Sequence, residues 1–319
     1  MAIGSRPLVP SRLAPGGIAA HAPRRTPTTV VGAYIALTKP RIIELLLITT
    51  IPTMVLAQQG WPSTRLVVIT LIGGTLAAGG ASAVNMYVDR DIDALMARTA
   101  NRPLVVGIIE PRHALIFALT LLALSFVVLW AGANLLAASL AIGAAAFYIG
   151  IYTLWLKRTS RQNIVIGGAA GAMPVLVGWA AVQNSVGWEP IVLFVAMFLW
   201  TPPHSWALAV KYMDDYSAAD VPMLPSVAPM EHVVSQMKLY TAGLVVATLV
   251  LWPVASLGFV YGVTAVVLGA MFLWGTYALG KNPSPGASMR LFGFSITYVT
   301  VLFGAMMLDV FLEHGVSAG

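Results

Sequence analysis

The residues best suited to chemistry lie between Asn85 and Leu104, in the stretch NMYVDRDIDALMARTANRPL. Asn85, Asp89 and Asp93 recur every four residues, so on a continuing helix they fall within an arc of roughly 80° and point at one place, with Asp91 on the other face. Their oxygens suit a hard divalent cation such as Mg2+, which keeps several waters and shares its shell with substrate phosphates. Arg98 and Arg102 follow directly and suit an anion. Carboxylates for a cation beside guanidinium groups for an anion point to a metal-bound phosphate or diphosphate.

A second group lies in WTPPHSWALAVKYMDDY. Pro202 and Pro203 are expected to kink or break a helix just before His204. His204, Leu208, Lys211 and Asp215 are then expected to share one face. His204 reads either as a histidine satisfied by a carbonyl that the prolines free, or as a proton acceptor or ligand to a bound metal centre. Lys211 reads as a snorkelling boundary residue or as a phosphate contact. Between the two groups lies TLWLKRTSRQNIVIGGAAGAMP, whose Lys157 and Arg158 read as boundary anchors and are also candidates for binding substrate. Asn163 either caps the next helix or reaches a ligand. Tyr148 and Tyr152, one turn apart, line a cavity or belong to an aromatic belt. Gly167, Gly168, Gly171 and Gly178 read as a close helix-packing face.

The elements that must position these residues are membrane helices. Of 319 residues 58% are hydrophobic and only 9% charged, with a mean hydropathy of +0.83, which excludes an ordinary soluble domain. Nine apolar runs are long enough to span a bilayer, near 41–59, 66–88, 112–131, 134–155, 163–182, 190–210, 234–256, 259–279 and 290–312. With the N-terminus inside, 17 of the 18 Lys and Arg fall on the inner side and only Arg65 falls outside, which sets the orientation. The same rule accounts for the net charge of +6, so no nucleic-acid partner is implied. Eight of the twelve carboxylates sit in two inner loops, one carrying Asp89, Asp91, Asp93 and Glu110 and the other Asp214, Asp215, Asp220 and Glu231. There is no Cys, so disulfides and thiolate chemistry are excluded. Residues 1–28 are expected to be a disordered cytoplasmic tail, 29–314 a single transmembrane domain, and 315–319 a short outer tail.

Two acidic loops at one mouth of an apolar bundle suit a Mg2+-bound diphosphate whose hydrocarbon tail enters the bundle. Neutralising the diphosphate lets an allylic C–O bond ionise, and a water-poor cavity protects the carbocation. Prenyl transfer follows as a hypothesis, with the acceptor left open. An ion-coupled transporter is the reading from another class, but its charges belong near the bilayer midplane, whereas these gather at one boundary.

NMYVDRDIDALMARTANRPL resembles the asparagine- and aspartate-rich signature of the UbiA superfamily of membrane prenyltransferases, in its haem-farnesylating branch. The TKPR of Thr38 to Arg41, YTLWLKRTSRQNIVIGGAAGAMP and WTPPHSWALAVKYMDDYSAADVPMLP resemble the same branch in the same order, over about residues 30–312. The resemblance implies an all-α, nine-helix UbiA-type bundle in the cell's inner membrane, with both acidic loops cytoplasmic and the C-terminus outside. It implies Mg2+ dependence and transfer of a farnesyl group from farnesyl diphosphate to a vinyl group of haem b. Water then completes the side chain of haem O, with haem A synthase or terminal-oxidase assembly as further partners. Matched to the family's motifs, Asn85, Asp89 and Asp93 hold metal and diphosphate, Arg98 and Arg102 continue that motif, and Asp215 belongs to the second, with Lys211 a turn before it. His204 matches an element placed near the porphyrin. Ser205 stands where many members have Phe, so an aromatic contact there passes to Trp206; Asp220 stands where many have Gly, which puts a metal role for it in doubt. A prenyltransferase acting on an aromatic or quinone precursor, and a catalytically silent haem-binding protein, are the alternatives within the same fold.

Overall fold

The computed structural model describes residues 29–315, with the side chains of 41–47 left aside. The tail expected at 1–28 and the last four residues lie outside this range. Among the described residues the long elements are nine helices: α1 (Pro40–Gln58), α2 (Thr64–Val88), α3 (Pro111–Gly132), α4 (Leu135–Thr159), α5 (Asn163–Gln183), α6 (Trp188–Lys211), α7 (Met230–Val254), α8 (Phe259–Lys281) and α9 (Pro285–His314). Eight are long and apolar enough to cross a membrane, and α1 adds the shorter apolar stretch Ile48–Gln58. The chain is a multi-pass membrane protein of all-α fold. Short helices Val30–Leu37, Arg90–Leu95, Met213–Ala218 and Leu224–Val227 lie between or before the long ones.

Both tight connections expected at Gly132 and Gly258 are present, so α3 and α4, and α7 and α8, are separate helices. Asn134 caps α4 through Ala137 N–H and ties it to α5 by donating to the Ala180 carbonyl at 2.7 Å. Gly258 offers α8 no capping side chain, and Asp309 of α9, 3% exposed, supplies one by accepting the Tyr261 N–H at 3.1 Å.

Successive helices pack as neighbours, and α9 returns to α1, while α1 also packs on α5 and α9 on α6. The α6–α9 side is filled by large side chains, among them Trp200, Trp206, Tyr261, Phe272 and Tyr298. The α2–α5 side packs on alanines, such as Ala77, Ala137, Ala138, Ala141 and Ala180. Small residues let backbones approach closely, and where they face one another without meeting they leave space. That space is a cavity of about 360 Å³ walled mainly by α2, α4 and α5, with Thr50 of α1 and Thr201 and Ser205 of α6.

Two local expectations are corrected and one is narrowed. Of the kink or break expected at Pro202–Pro203 the break is absent, and α6 runs unbroken to Lys211. The helix stops there instead: Tyr212 leaves helical geometry at φ −115° and ψ 25°, so Asp215, on the short helix Met213–Ala218, is out of register with the face of His204 and Lys211. In α5, Gly167, Gly168 and Gly178 do pack closely, against Tyr152, Thr201 and Thr50, but a methyl group on Gly171 would meet nothing. Gly171 lines the cavity.

Candidate functional site

The Asn85 stripe survives a break in its helix. α2 ends at Val88, Asp89 turns at φ −87° and ψ 5°, and a second short helix carries Arg90–Leu95. The backbone bonds Asp89 N–H to Asn85 O (2.9 Å) and Asp93 N–H to Asp89 O (2.8 Å) hold the three residues in helical sequence across the break. Asn85, Asp89 and Asp93 are 2%, 0% and 1% exposed, whereas Asp91 faces out, as their spacing requires.

Buried carboxylates persist only when paired. Asp89 Oδ2 is bonded by Lys157 Nζ and by the Asn85 amide at 2.6 Å, and Arg158 stands 3.6 Å from Oδ1. Asp93 Oδ2 accepts Arg102 at 2.5 Å. The Asn85 amide also donates to Thr153 at 3.2 Å, and its oxygen accepts Lys39 Nζ at 2.8 Å. Arg158 grips Asp91 with two bonds of 2.7 Å, which holds that carboxyl down at about 2. Four cations from three segments thus converge on the stripe: Lys39 ahead of α1, Arg102 in the loop, and Lys157 and Arg158 at the end of α4.

Lys39 was counted in the sequence as an inner cation within TKPR and given no role in the site. Burial, followed by the charges of Arg102 and Lys157, lowers its ammonium to about 7. Its backbone is left-handed, φ 52° and ψ 63°, a conformation that costs a non-glycine residue about 1 kcal/mol or more. In this turn, just before Pro40, the Lys39 side chain reaches Asn85.

The end of α4 is also missed by a reading based on helical periodicity. From Tyr148 to Leu156 it winds as a π-helix, with Lys157 N–H bonding the Tyr152 carbonyl five residues back. The wider coil stacks Tyr148 on Tyr152, centroids 5.2 Å apart, at the cavity wall, and turns the neighbouring Thr153 and Lys157 to Asn85 and Asp89. The ionic cluster therefore sits directly against one end of the cavity.

The second loop is built differently. Lys211, Asp214 and Asp220 are exposed and Asp215 is half-buried. Asp215 Oδ2 accepts the Arg98 backbone N–H at 3.2 Å, and the Arg98 guanidinium lies over Tyr212 at 5.3 Å and Tyr216 at 5.8 Å, so the loops touch. Lys211 lies 5.5 Å from the Tyr212 ring, apart from the cations on the stripe. Asp220 has φ +50°, the left-handed region that favours glycine.

The remaining candidates do not reach the ionic cluster. His204 stacks between Trp200 (4.1 Å) and Phe292 (4.6 Å), and its Nδ1 is 2.7 Å from Ser295 Oγ. Ser295 spends its own proton on the Phe292 carbonyl at 2.6 Å, so His204 Nδ1 is the donor and Nε2 keeps its lone pair. Its neighbours Thr201 and Ser205 line the cavity, and His204 does not. Trp206 is 1% exposed and packs on Tyr240. Asn163 is fully buried with neither polar atom of its amide bonded.

The cluster can accept a divalent cation. Asp89 Oδ1 and Asp93 Oδ1 are buried without hydrogen-bond partners, Arg158 standing 3.6 Å from the first, so each carboxylate keeps one oxygen with no hydrogen bond. No three acidic or imidazole side chains converge among the described residues, and Asp215 does not join Asp89 and Asp93. A metal here takes at most two carboxylates and leaves the rest of its shell to water and phosphate oxygens, the habit of Mg2+.

Comparison with known proteins agrees with this architecture. A protein named protoheme IX farnesyltransferase from Pseudarthrobacter chlorophenolicus is 51% identical over 292 residues, covering 90% of this chain and 92% of its own. One of the same name from Streptomyces coelicolor is 50% identical over 289 residues, covering 89% and 92%. In fold, the chain matches a digeranylgeranylglyceryl phosphate synthase at a TM-score of 0.74 and 16% identity, over 88% of this chain and 98% of that one. It also matches a UbiA homolog from Archaeoglobus fulgidus bound to GPP and Mg2+, at 0.61 and 19%, over 86% and 99%. The profile of the UbiA prenyltransferase family covers residues 46–302, and the chain belongs to that family.

Proposed function

We propose that the chain transfers the farnesyl group of farnesyl diphosphate to a vinyl group of protoheme IX, in a Mg2+-dependent reaction completed by water to give haem O. The observation that carries the reading is the pair of buried, half-used aspartates at the end of an apolar cavity. The names of relatives about 50% identical over nearly the whole chain support farnesyl as the group and protoheme IX as the acceptor.

In this reading Asp89 and Asp93 hold the metal through their free oxygens, with Asn85 beside them. The metal, when bound, neutralises the diphosphate and makes it a better leaving group. Lys39, Lys157, Arg102 and Arg158 supply fixed positive charge for the same oxygens as negative charge builds on them. Lys211 and Asp215, from the second loop, and Arg98, from the first, close over the head group. Tyr148 and Tyr152 present their ring faces where the allylic carbon leaves the cluster for the cavity, and the alanine-lined walls exclude water from the cation. His204 offers Nε2 to the acceptor from the face of α6 turned toward α9. The distribution of Lys and Arg supports a cytoplasmic N-terminus and cytoplasmic acidic loops. Haem A synthase or the terminal-oxidase assembly would take the product.

The test is mass spectrometry of haem after incubating purified protein with haem b, farnesyl diphosphate and Mg2+, with an EDTA control. Haem O that disappears with EDTA is expected. No product from a preparation that binds both substrates would overturn the reading.

A further inference from the structure

The four glycines that line the cavity face two kinds of surroundings. At Gly167 and Gly168 a methyl group would collide with Tyr152 and Thr201, so these residues let neighbouring helices close. At Gly74 and Gly171 a methyl group would meet no atom within 4 Å, although both lie inside helices and both line the cavity. Glycine weakens a helix interior by about 1 kcal/mol relative to alanine. At these two positions neither packing nor backbone geometry requires it; neither has a positive φ. What glycine leaves there is room.

The two positions stand at different depths. Tyr152 packs against Gly167 beside the Asn85 cluster, and Gly171 is one turn further along α5, about 6 Å at ~1.5 Å per residue. Gly74 lies eleven residues from Asn85 along α2, about 16 Å on the same scale. With C–C bonds of ~1.5 Å an extended isoprene unit covers about 5 Å, so a chain anchored at the cluster passes Gly171 with its leading units and reaches Gly74 with its third.

We propose that Gly74 and Gly171 set the prenyl-chain length the site accepts, Gly74 giving room to the third isoprene unit and Gly171 to the units before it. The inference rests on the proposed function for the head-group end of the cavity. It assigns the specificity for the length of the donor to two residues outside the charged motifs.

The test is displacement of labelled farnesyl diphosphate from the full-length protein in Mg2+ by unlabelled dimethylallyl, geranyl and farnesyl diphosphates, comparing wild type with Gly74→Leu and Gly171→Leu. Gly74→Leu is expected to weaken farnesyl diphosphate at least tenfold while leaving geranyl diphosphate within about twofold. Gly171→Leu is expected to weaken both. Gly74→Ala, which adds one methyl group, carries the test if the leucine variant does not fold, and should show the same shift at smaller size. Because binding is read without haem, a wrong acceptor leaves the result intact. Wild-type protein that binds none of the three donors would overturn the proposed function, and with it this inference. Donor preferences in Gly74→Leu and Gly74→Ala matching wild type would show that the chain leaves the cavity by another route and would overturn the inference alone.

Discussion

The two acidic loops look alike in sequence and are built on opposite principles. The first lies over a half of the molecule packed on alanines, with a cavity in it, and its Asn85, Asp89 and Asp93 are buried and tied to Lys39, Lys157 and Arg102 before any ligand arrives. The second follows a half packed with large aromatic and aliphatic side chains, and its Asp214, Asp215 and Asp220 form no ion pair among the described residues. One loop is preorganised by ion pairs and the other is not. Preorganised charge is worth most where charge develops in a transition state, because no reorganisation is needed at the moment of reaction. In the proposed function the chemistry therefore falls to the first loop, with the second in a supporting place.

The largest expected effect is at the buried stripe. Asp89→Asn or Asp93→Asn keeps volume, removes a metal-binding charge, and leaves Lys157 or Arg102 without its partner. Prenyl transfer should fall about 10³-fold or more in steady-state assays. Full turnover by both variants would contradict the assignment.

Lys39→Met should cost about 10- to 100-fold in kcat/KM for the donor, as expected for loss of one charged contact. Its pH dependence sharpens the comparison. The folded ammonium sits at about 7, below the usual 10.5, so free protein loses this positive charge as pH rises through 7. Donor affinity of the free enzyme should weaken over that range in wild type and lose this component in Lys39→Met. For stability the sign is opposite. Holding Lys39 charged is a penalty below pH 7 that fades as pH climbs toward 10.5, because the unfolded chain keeps the proton longer.

Asp215→Asn should lower activity by about tenfold at most, since the side chain loses charge but can still accept the Arg98 N–H. Smallest of all is Asp91→Asn. Its carboxyl is exposed, and although Arg158 holds it at about 2, solvent screens the pair. Its contribution is present above about pH 4 and is lost as pH falls toward 2. Thermal unfolding at neutral pH should shift by less than about 1 kcal/mol in stability.

Much of this was legible in the sequence because it depends on local periodicity. Apolar run length locates the nine helices, and four-residue spacing puts Asn85, Asp89 and Asp93 on one face and Asp91 on the other. The spacing argument failed at Asp215 because Tyr212 ends α6, and a break in dihedral angles leaves no mark on hydropathy. It also missed the π-helix at Tyr148–Leu156, whose hydrogen-bond pattern shifts by one residue while composition stays the same. Lys39 was visible only as an inner cation within TKPR, because its role depends on a left-handed turn from which it reaches Asn85, 46 residues along the chain. Gly171 was assigned to packing because a glycine facing a void and one facing a helix read the same.

The most direct measurement is Mg2+-dependent binding of an unreactive farnesyl thiodiphosphate to wild type, Asp89→Asn and Asp215→Asn by calorimetry. The account predicts that Asp89→Asn loses the Mg2+-dependent part of the affinity altogether, while Asp215→Asn keeps it within about tenfold, a loss of about 1.4 kcal/mol at most. Retention of Mg2+-dependent binding in Asp89→Asn together with its loss in Asp215→Asn would move the metal to the second loop and contradict the account.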